Sequence, residues 1–173
     1  TCESQRLPAT GQTTCCDTTG NPIPCLASGQ DGDIRAGGVL HFVDNGDGTL
    51  TDRNTGLVWA KKSDDGSIHD KDHSYTWDNS FAVHVTTLNF LAFGGRTDWR
   101  IPNAKELATL ANYQIAHPGP VVHPAFHTGC VSGCTVLTCS CQADGWHWTS
   151  TSAVGSTANA WILNFNTSYL DST

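Results

Sequence analysis

The sequence predicts an α+β domain preceded by an extended N-terminal arm. Three features predict it. Short strand-like runs punctuated by turn residues lie between 39 and 61. Two segments of helical periodicity follow, and eight cysteines gather in two clusters at opposite ends of the chain. At 173 residues the chain is long enough for one domain, and the change of character near Val39 divides it into an arm, 1–38, and a domain, 39–173.

The arm reads as LPATGQ, DTTGNPIPC, SGQDGD and RAGG, turn chemistry without periodicity and without a helix. From Val39 the runs VLHFVD, TLTD and LVWAK alternate with the turns NGDG and RNTG, which makes a three-stranded meander. Asn45-Gly46 and Asp47-Gly48 are hairpin signals because both pairs tolerate positive φ. An acidic loop, KKSDDGSIHDKDHSY, spans 61–75. A helix is expected from about Trp77 to Ala92, where Phe81, Val85, Leu88 and Leu91 recur at helical spacing and Gly94-Gly95 ends the run. A second is expected from Ala104 to Tyr113, with Asn103 as N-cap and Glu106 three residues on, a capping box with Asn in place of Ser or Thr. Residues 115–145 form a long irregular loop. Two strands, Trp146–Thr149 and Ala160–Asn166, close the chain.

Cys2, Cys15, Cys16 and Cys25 form the first cysteine cluster; Cys130, Cys134, Cys139 and Cys141 form the second. An even number in loop-like surroundings reads as a disulfide framework made in an oxidising compartment, with the bridges inside each cluster and their pairing open. The paired CxxC knuckles of zinc sites and the CxxCH of haem attachment are both missing. The chain has no methionine and no run long enough for a membrane span. Together these predict an extracellular or cell-surface protein, exported by a removed signal peptide and beginning at Thr1 after processing.

Charged residues make up only 14% of the chain, against roughly 25% in ordinary soluble domains, while threonine is abundant and there are 17 glycines. Such a surface suits dense packing against neighbours or a coat of O-linked glycan. The net charge of −7 argues against nucleic acid and anionic membranes as partners. A single sequon, Asn166-Thr167-Ser168, makes Asn166 a candidate N-glycosylation site.

Several segments together carry a family resemblance: TGQTTC, IPCLASGQDGD, DNGDGTLTDRNTGLVW, TWDNSFAVHVTTLN, TDWRIPNAKELATLANY, and HWTSTS followed by AWILNF. Over residues 8–165 the chain resembles the Lcl C-terminal domain family, found at the ends of bacterial collagen-like adhesins and in many exported proteins. The resemblance implies a C-type-lectin-like fold, with two helices flanking a small twisted antiparallel sheet and a long loop region. It also implies a departure. The family continues past the AW.V.F strand into a basic closing strand with a cysteine, whereas this chain ends NFNTSYLDST. Ala160–Asn166 is therefore expected to be an open sheet edge, a template for strand addition. The arm from Thr1 to Cys25 of a neighbouring copy is the expected occupant, and such a head-to-tail contact builds a fibre.

The motifs have a purely structural reading as well. Trp59, Trp77, Trp99, Trp148 and Trp161 are expected as anchors of a small core, and Asp98, Arg100 and Asn103 as groups that cap and pin the second helix. Asp64, Asp65, Asp70 and Asp72 offer four hard oxygen donors, a candidate calcium site opposed by the interspersed Lys61, Lys62 and Lys71. Asp31 and Asp33 in GQDGD are a weaker candidate. DNGDGTLTD fails as an EF-hand because Val43 falls at the first ligand position. The eight histidines show no HExxH and no HxH; His69, His73, His117, His123 and His127 are expected as ordinary loop residues. There is no GxSxG, P-loop or GxGxxG, and the fold-level analogy to a formylglycine-generating branch is a weak warrant. The expectation is a non-enzymatic extracellular structural subunit that partners itself. The alternative is a carbohydrate-binding adhesin module. That alternative lacks the calcium triplets of lectins of this fold, Trp77-Asp78-Asn79 being the nearest match and reversed in order.

Overall fold

The computed structural model describes residues 7–116, 118–155, 159–167 and 169–172. It is a mixed α+β arrangement of short helices and small antiparallel sheets. In the arm, Cys15–Cys16 (β1) pairs with Pro22–Ile23 (β2) and a four-residue helix, Asp31–Ile34 (α1), follows. Sequence reasoning read that last stretch as a turn. The helix is a single turn stopped by Arg35 in the left-handed region (φ 49°), too short to leave a periodic signature.

The expected meander forms: Phe42–Asp44 (β3), Thr49–Asp52 (β4) and Val58–Ala60 (β5), ordered β3-β4-β5 and antiparallel. Its first turn closes with the Asn45 amide donating to the Thr49 carbonyl at 3.0 Å. Its second is held by the fully buried Asp52, whose carboxylate accepts from the Asn54 amide and the Thr55 hydroxyl at 2.8 and 2.6 Å. A buried carboxylate needs such donors to offset its lost hydration.

The first long helix runs as Trp77–Asn79 (α2), a π-helical segment Ser80–Val85, and Thr86–Phe90 (α3). The widened segment changes which residues face inward. Helical spacing placed Phe81, Val85, Leu88 and Leu91 on one buried face, but Leu88 is buried while Phe81 is 36% and Leu91 59% exposed. A pattern read at 3.6 residues per turn cannot survive a turn that bonds i to i+5. The second helix is Ala104–Ala108 (α4), shorter than expected but carrying the full capping box: Asn103 accepts from the Glu106 amide, and Glu106 accepts from the Asn103 amide, both at 2.9 Å. Arg100 grips Glu106 with two bonds of 2.8 and 2.7 Å, whereas Asp98 pairs with Arg96.

A two-residue ladder, His127–Thr128 (β6) with Ser140–Cys141 (β7), braces the long loop. The last sheet comprises Trp146–Ser152 (β8), Ala160–Asn164 (β9) and Tyr169–Ser172 (β10), in the order β10-β9-β8. This corrects an expectation. Ala160–Asn166 is not an open edge: β9 is the central strand, and the tail forms β10 with Tyr169 opposite Asn164 and Ser172 opposite Trp161. A turn at 165–167 precedes β10, and Tyr169–Ser172 pair with β9. The core is Leu50, Leu107, Leu110, Val122, Phe126, Leu163 and Phe165, drawn from the meander, α4, the long loop and β9.

Over its described residues the arm lies against its own domain. Ala9 donates to the Gly38 carbonyl at 2.7 Å, Tyr113 donates to Thr10 at 2.8 Å, and the Gln114 side-chain oxygen accepts from the amides of Thr13 and Thr14 at 2.6 and 3.2 Å. Residues Thr1–Arg6 lie outside the described residues.

Candidate functional site

Between the meander, the π-helical segment and the loop leading into β8 lies a cavity of about 620 Å³. Four indoles stand in its wall, and the sequence that positions them is legible. Trp59 comes from β5. Trp99 is fixed by reciprocal bonds between its backbone and the Asn89 side chain (2.7 and 3.0 Å) and by its indole N–H donating to the Phe93 carbonyl at 2.9 Å. Trp148 in β8 donates its indole N–H to the Tyr75 carbonyl at 2.7 Å. Trp146 is half exposed at the same strand's start. Of the five tryptophans expected as core anchors, Trp59 packs against the core, Trp59, Trp77, Trp99 and Trp148 are partly buried, and Trp161 is 37% exposed; an indole buries its body and keeps its N–H near a partner. Trp59 is the exception, its buried indole N–H having no acceptor.

The cavity's titratable groups are unusual. His147 donates from Nδ1 to the Gly145 carbonyl at 2.9 Å, so Nε2 carries the lone pair that accepts from Gln142 at 2.7 Å. Burial holds this ring neutral, pushing its pKa down to about 4. Burial does the same to His84, on the π-helical segment, again to about 4, with the positive charge of Lys62 adding to it; its Nδ1 is buried without a partner. Lys62 also lines the cavity, and burial lowers its pKa while Asp70 opposes the shift.

The acidic loop folds as a knot of turns beside this wall. Of the four expected calcium ligands the structure brings together three, Asp64, Asp70 and Asp72, with carboxylate oxygens within 4.8 Å of one another. Asp65 is taken elsewhere, accepting from the Ser63 hydroxyl and Ser67 amide at 2.7 and 3.0 Å. The Lys71 ammonium sits among the three, 2.7 Å from Asp72 and 3.6 Å from Asp64, and serves as their counter-ion. Asp70 accepts from the amides of Gly66 and Asp72 at 2.6 and 2.8 Å, which lowers its pKa. Asp31 accepts instead from the Thr10 hydroxyl.

The cysteines pair within their clusters, as expected: Cys15–Cys25, Cys130–Cys141 and Cys134–Cys139. Among the described residues Cys16 has no partner, and Cys2 lies outside them. Asn166 sits in the turn before β10, its side-chain oxygen buried without a donor, and Ser168 of its sequon lies outside the described residues. Among the described residues no histidine belongs to a metal-ligating group of three or more. His69 packs on Phe93 with ring centroids 4.2 Å apart, His123 accepts from the Ala125 amide at 3.2 Å, and His117 lies outside the described residues. Sequence reasoning missed the cavity; its available signal was the recurrence of Trp in TGLVW, DWRIP and GWHW.

A second feature is apolar exposure. Leu7, Leu26 and Ile34 in the arm and Val39 at its junction with the domain are 64–89% exposed; Phe90 and Leu91 at the end of α3 are 85% and 59% exposed. Among the described residues no helix is long and apolar enough to cross a membrane.

A family model described as the Lcl C-terminal domain matches residues 48–173. No curated protein and no solved structure gave a match.

Proposed function

The chain belongs to the Lcl C-terminal domain family, and from that premise we propose a non-enzymatic extracellular structural subunit that assembles head-to-tail with copies of itself. The observation that carries this reading is apolar exposure in the arm and at its junction with the domain: Leu7, Leu26, Ile34 and Val39 are 64–89% exposed. Burying such a side chain gains about 1.5–3 kcal/mol, a gain that contact with a second copy would supply. Phe90 and Leu91, elsewhere in the sequence, are exposed as well. A heterologous, non-closing contact pairs two different surfaces of one subunit. The low charge and the three disulfides suit an assembly outside the cell. With β9 central, the edge available for strand addition is that of β10 or β8. The test is sedimentation velocity on the intact chain and on Leu26→Asp/Val39→Asp. The wild type is expected to form concentration-dependent oligomers and the variant to stay monomeric; a monomeric wild type would overturn the reading.

A second reading, a carbohydrate-binding module on a C-type-lectin-like fold, is favoured by the indole-lined cavity. A glycan array with and without calcium tests it. Binding that vanishes on Trp148→Ala is expected, and flat signals in both conditions would overturn it.

A further inference from the structure

We propose that the cavity binds a small ring compound bearing a single carboxylate, with Lys62 as its counter-charge. The inference rests on the second reading only in using the same cavity. Four basic side chains stand in the wall: Lys62, Lys71, Arg96 and Arg100. Three are matched. Lys71 lies 2.7 Å from Asp72, Arg96 3.1 Å from Asp98, and Arg100 2.7 Å from Glu106. Those three acids are the only carboxylates among the wall's described residues. Lys62 has no ion pair among the described residues. Asp70, whose field reaches it, already accepts from two backbone amides.

The wall's matched pairs leave Lys62 over, in a partly closed space where burial disfavours its charge and a carboxylate beside it would favour the charged form. A monoanion neutralises it; a dianion leaves an unmatched charge of its own, and a neutral ligand leaves Lys62 as it is. His84 and His147, held neutral by burial, do not alter this balance near pH 7. The indole walls suit the flat face of a ring. At about 620 Å³ the cavity falls inside the range of small-ligand sites, about 300–1,000 Å³. It is too small for a chain of several sugars to enter as a whole.

The ring acid could be a sugar acid or an aromatic acid, and the experiment separates them. Titration calorimetry on the intact chain would compare glucuronate with methyl glucoside, and phenylacetate with 2-phenylethanol. At least one acid is expected to bind with a stoichiometry near one and at least tenfold more tightly than its neutral partner. Lys62→Met should abolish that preference and Lys62→Arg retain it, with thermal melts confirming that both variants fold. If Lys62→Met does not fold, the acid-to-neutral comparison on the wild type decides alone. Neutral partners binding as well as the acids, a folded Lys62→Met that keeps the preference, or neither acid binding below about 10 mM would each overturn the inference. Phenylacetate binding with a silent glycan array would retire the carbohydrate reading and leave this one standing.

Discussion

His84 and His147 bind a proton less readily in the folded chain than in the unfolded one, because burial opposes charging the ring. Between pH 6.5 and about 4 the unfolded chain therefore takes up more protons. The stability these rings contribute is complete above the unfolded value and is lost as pH falls through that window. Each should cost on the order of 3 kcal/mol by its lower end. Urea unfolding at a series of pH values is expected to show this decline, and His147→Gln to flatten part of it; equal stability at pH 7 and pH 4.5 would contradict the assignment. Glycine supplies a second residue-scale contrast. Gly46 (φ 77°) and Gly48 (φ 89°) share the hairpin turn, but a Cβ on Gly46 meets open space while one on Gly48 meets Phe93 and Val136 at 2.8 Å each. Gly46→Ala should cost about 1 kcal/mol, from the strained φ alone, and Gly48→Ala at least twice that. Thermal melts of the two variants would check the order. The turn itself was legible in NGDG; the packing of Phe93 and Val136 around it was not, because both approach from remote segments.

At the scale of elements, the meander, the capping box of α4 and the pairing of cysteines within clusters follow from local rules, and local rules read them. The failures share one cause, which is that a distant partner or an irregular turn set the outcome. The π-helical segment shifted the inward face of the first helix, and β10 formed because β9 offered it a neighbour, although SYLDS alone carries no strand signal. The acidic loop shows the same limit. Composition found the carboxylates, while only the fold placed Lys71 among them and turned Asp65 away. Lys71→Gln is therefore expected to gain a calcium response, seen as a raised melting temperature with added calcium that the wild type shows to a smaller degree. The Cys130–Cys141 bridge ties β7 to the loop, and the Cys141 amide donates to the Lys62 carbonyl at 2.9 Å beside the cavity. Replacing both cysteines with alanine should cost about 2–4 kcal/mol; a urea midpoint unchanged from wild type would show that the loop holds without the bridge.

For the whole molecule, composition anticipated a surface poor in charge, and the structure adds where its apolar part lies. The cavity was legible only as a recurrence of tryptophan, since its wall is assembled from segments between residues 56 and 165 and its unmatched lysine is visible only once three other pairs have formed. Negative-stain microscopy of the native protein beside a reduced control tests the proposed assembly at this scale. Filaments that weaken on reduction are expected, because the Cys15–Cys25 bridge pins the hairpin next to Leu26. Discrete particles in both samples would argue against it.

The wide turn at Ser80–Val85 also bears on how this domain tolerates changes of length. A π segment is an ordinary helix carrying one residue too many, so losing any single residue there restores regular α geometry. Because the wide turn absorbs the extra residue locally, Trp77–Asn79 and Thr86–Phe90 would keep their phase relative to each other, and Leu88 its buried place. Only the segment itself, which carries His84, would be re-set. The segment is thus a place where one lost codon would keep both flanks of the helix and rework a single stretch of the cavity's wall.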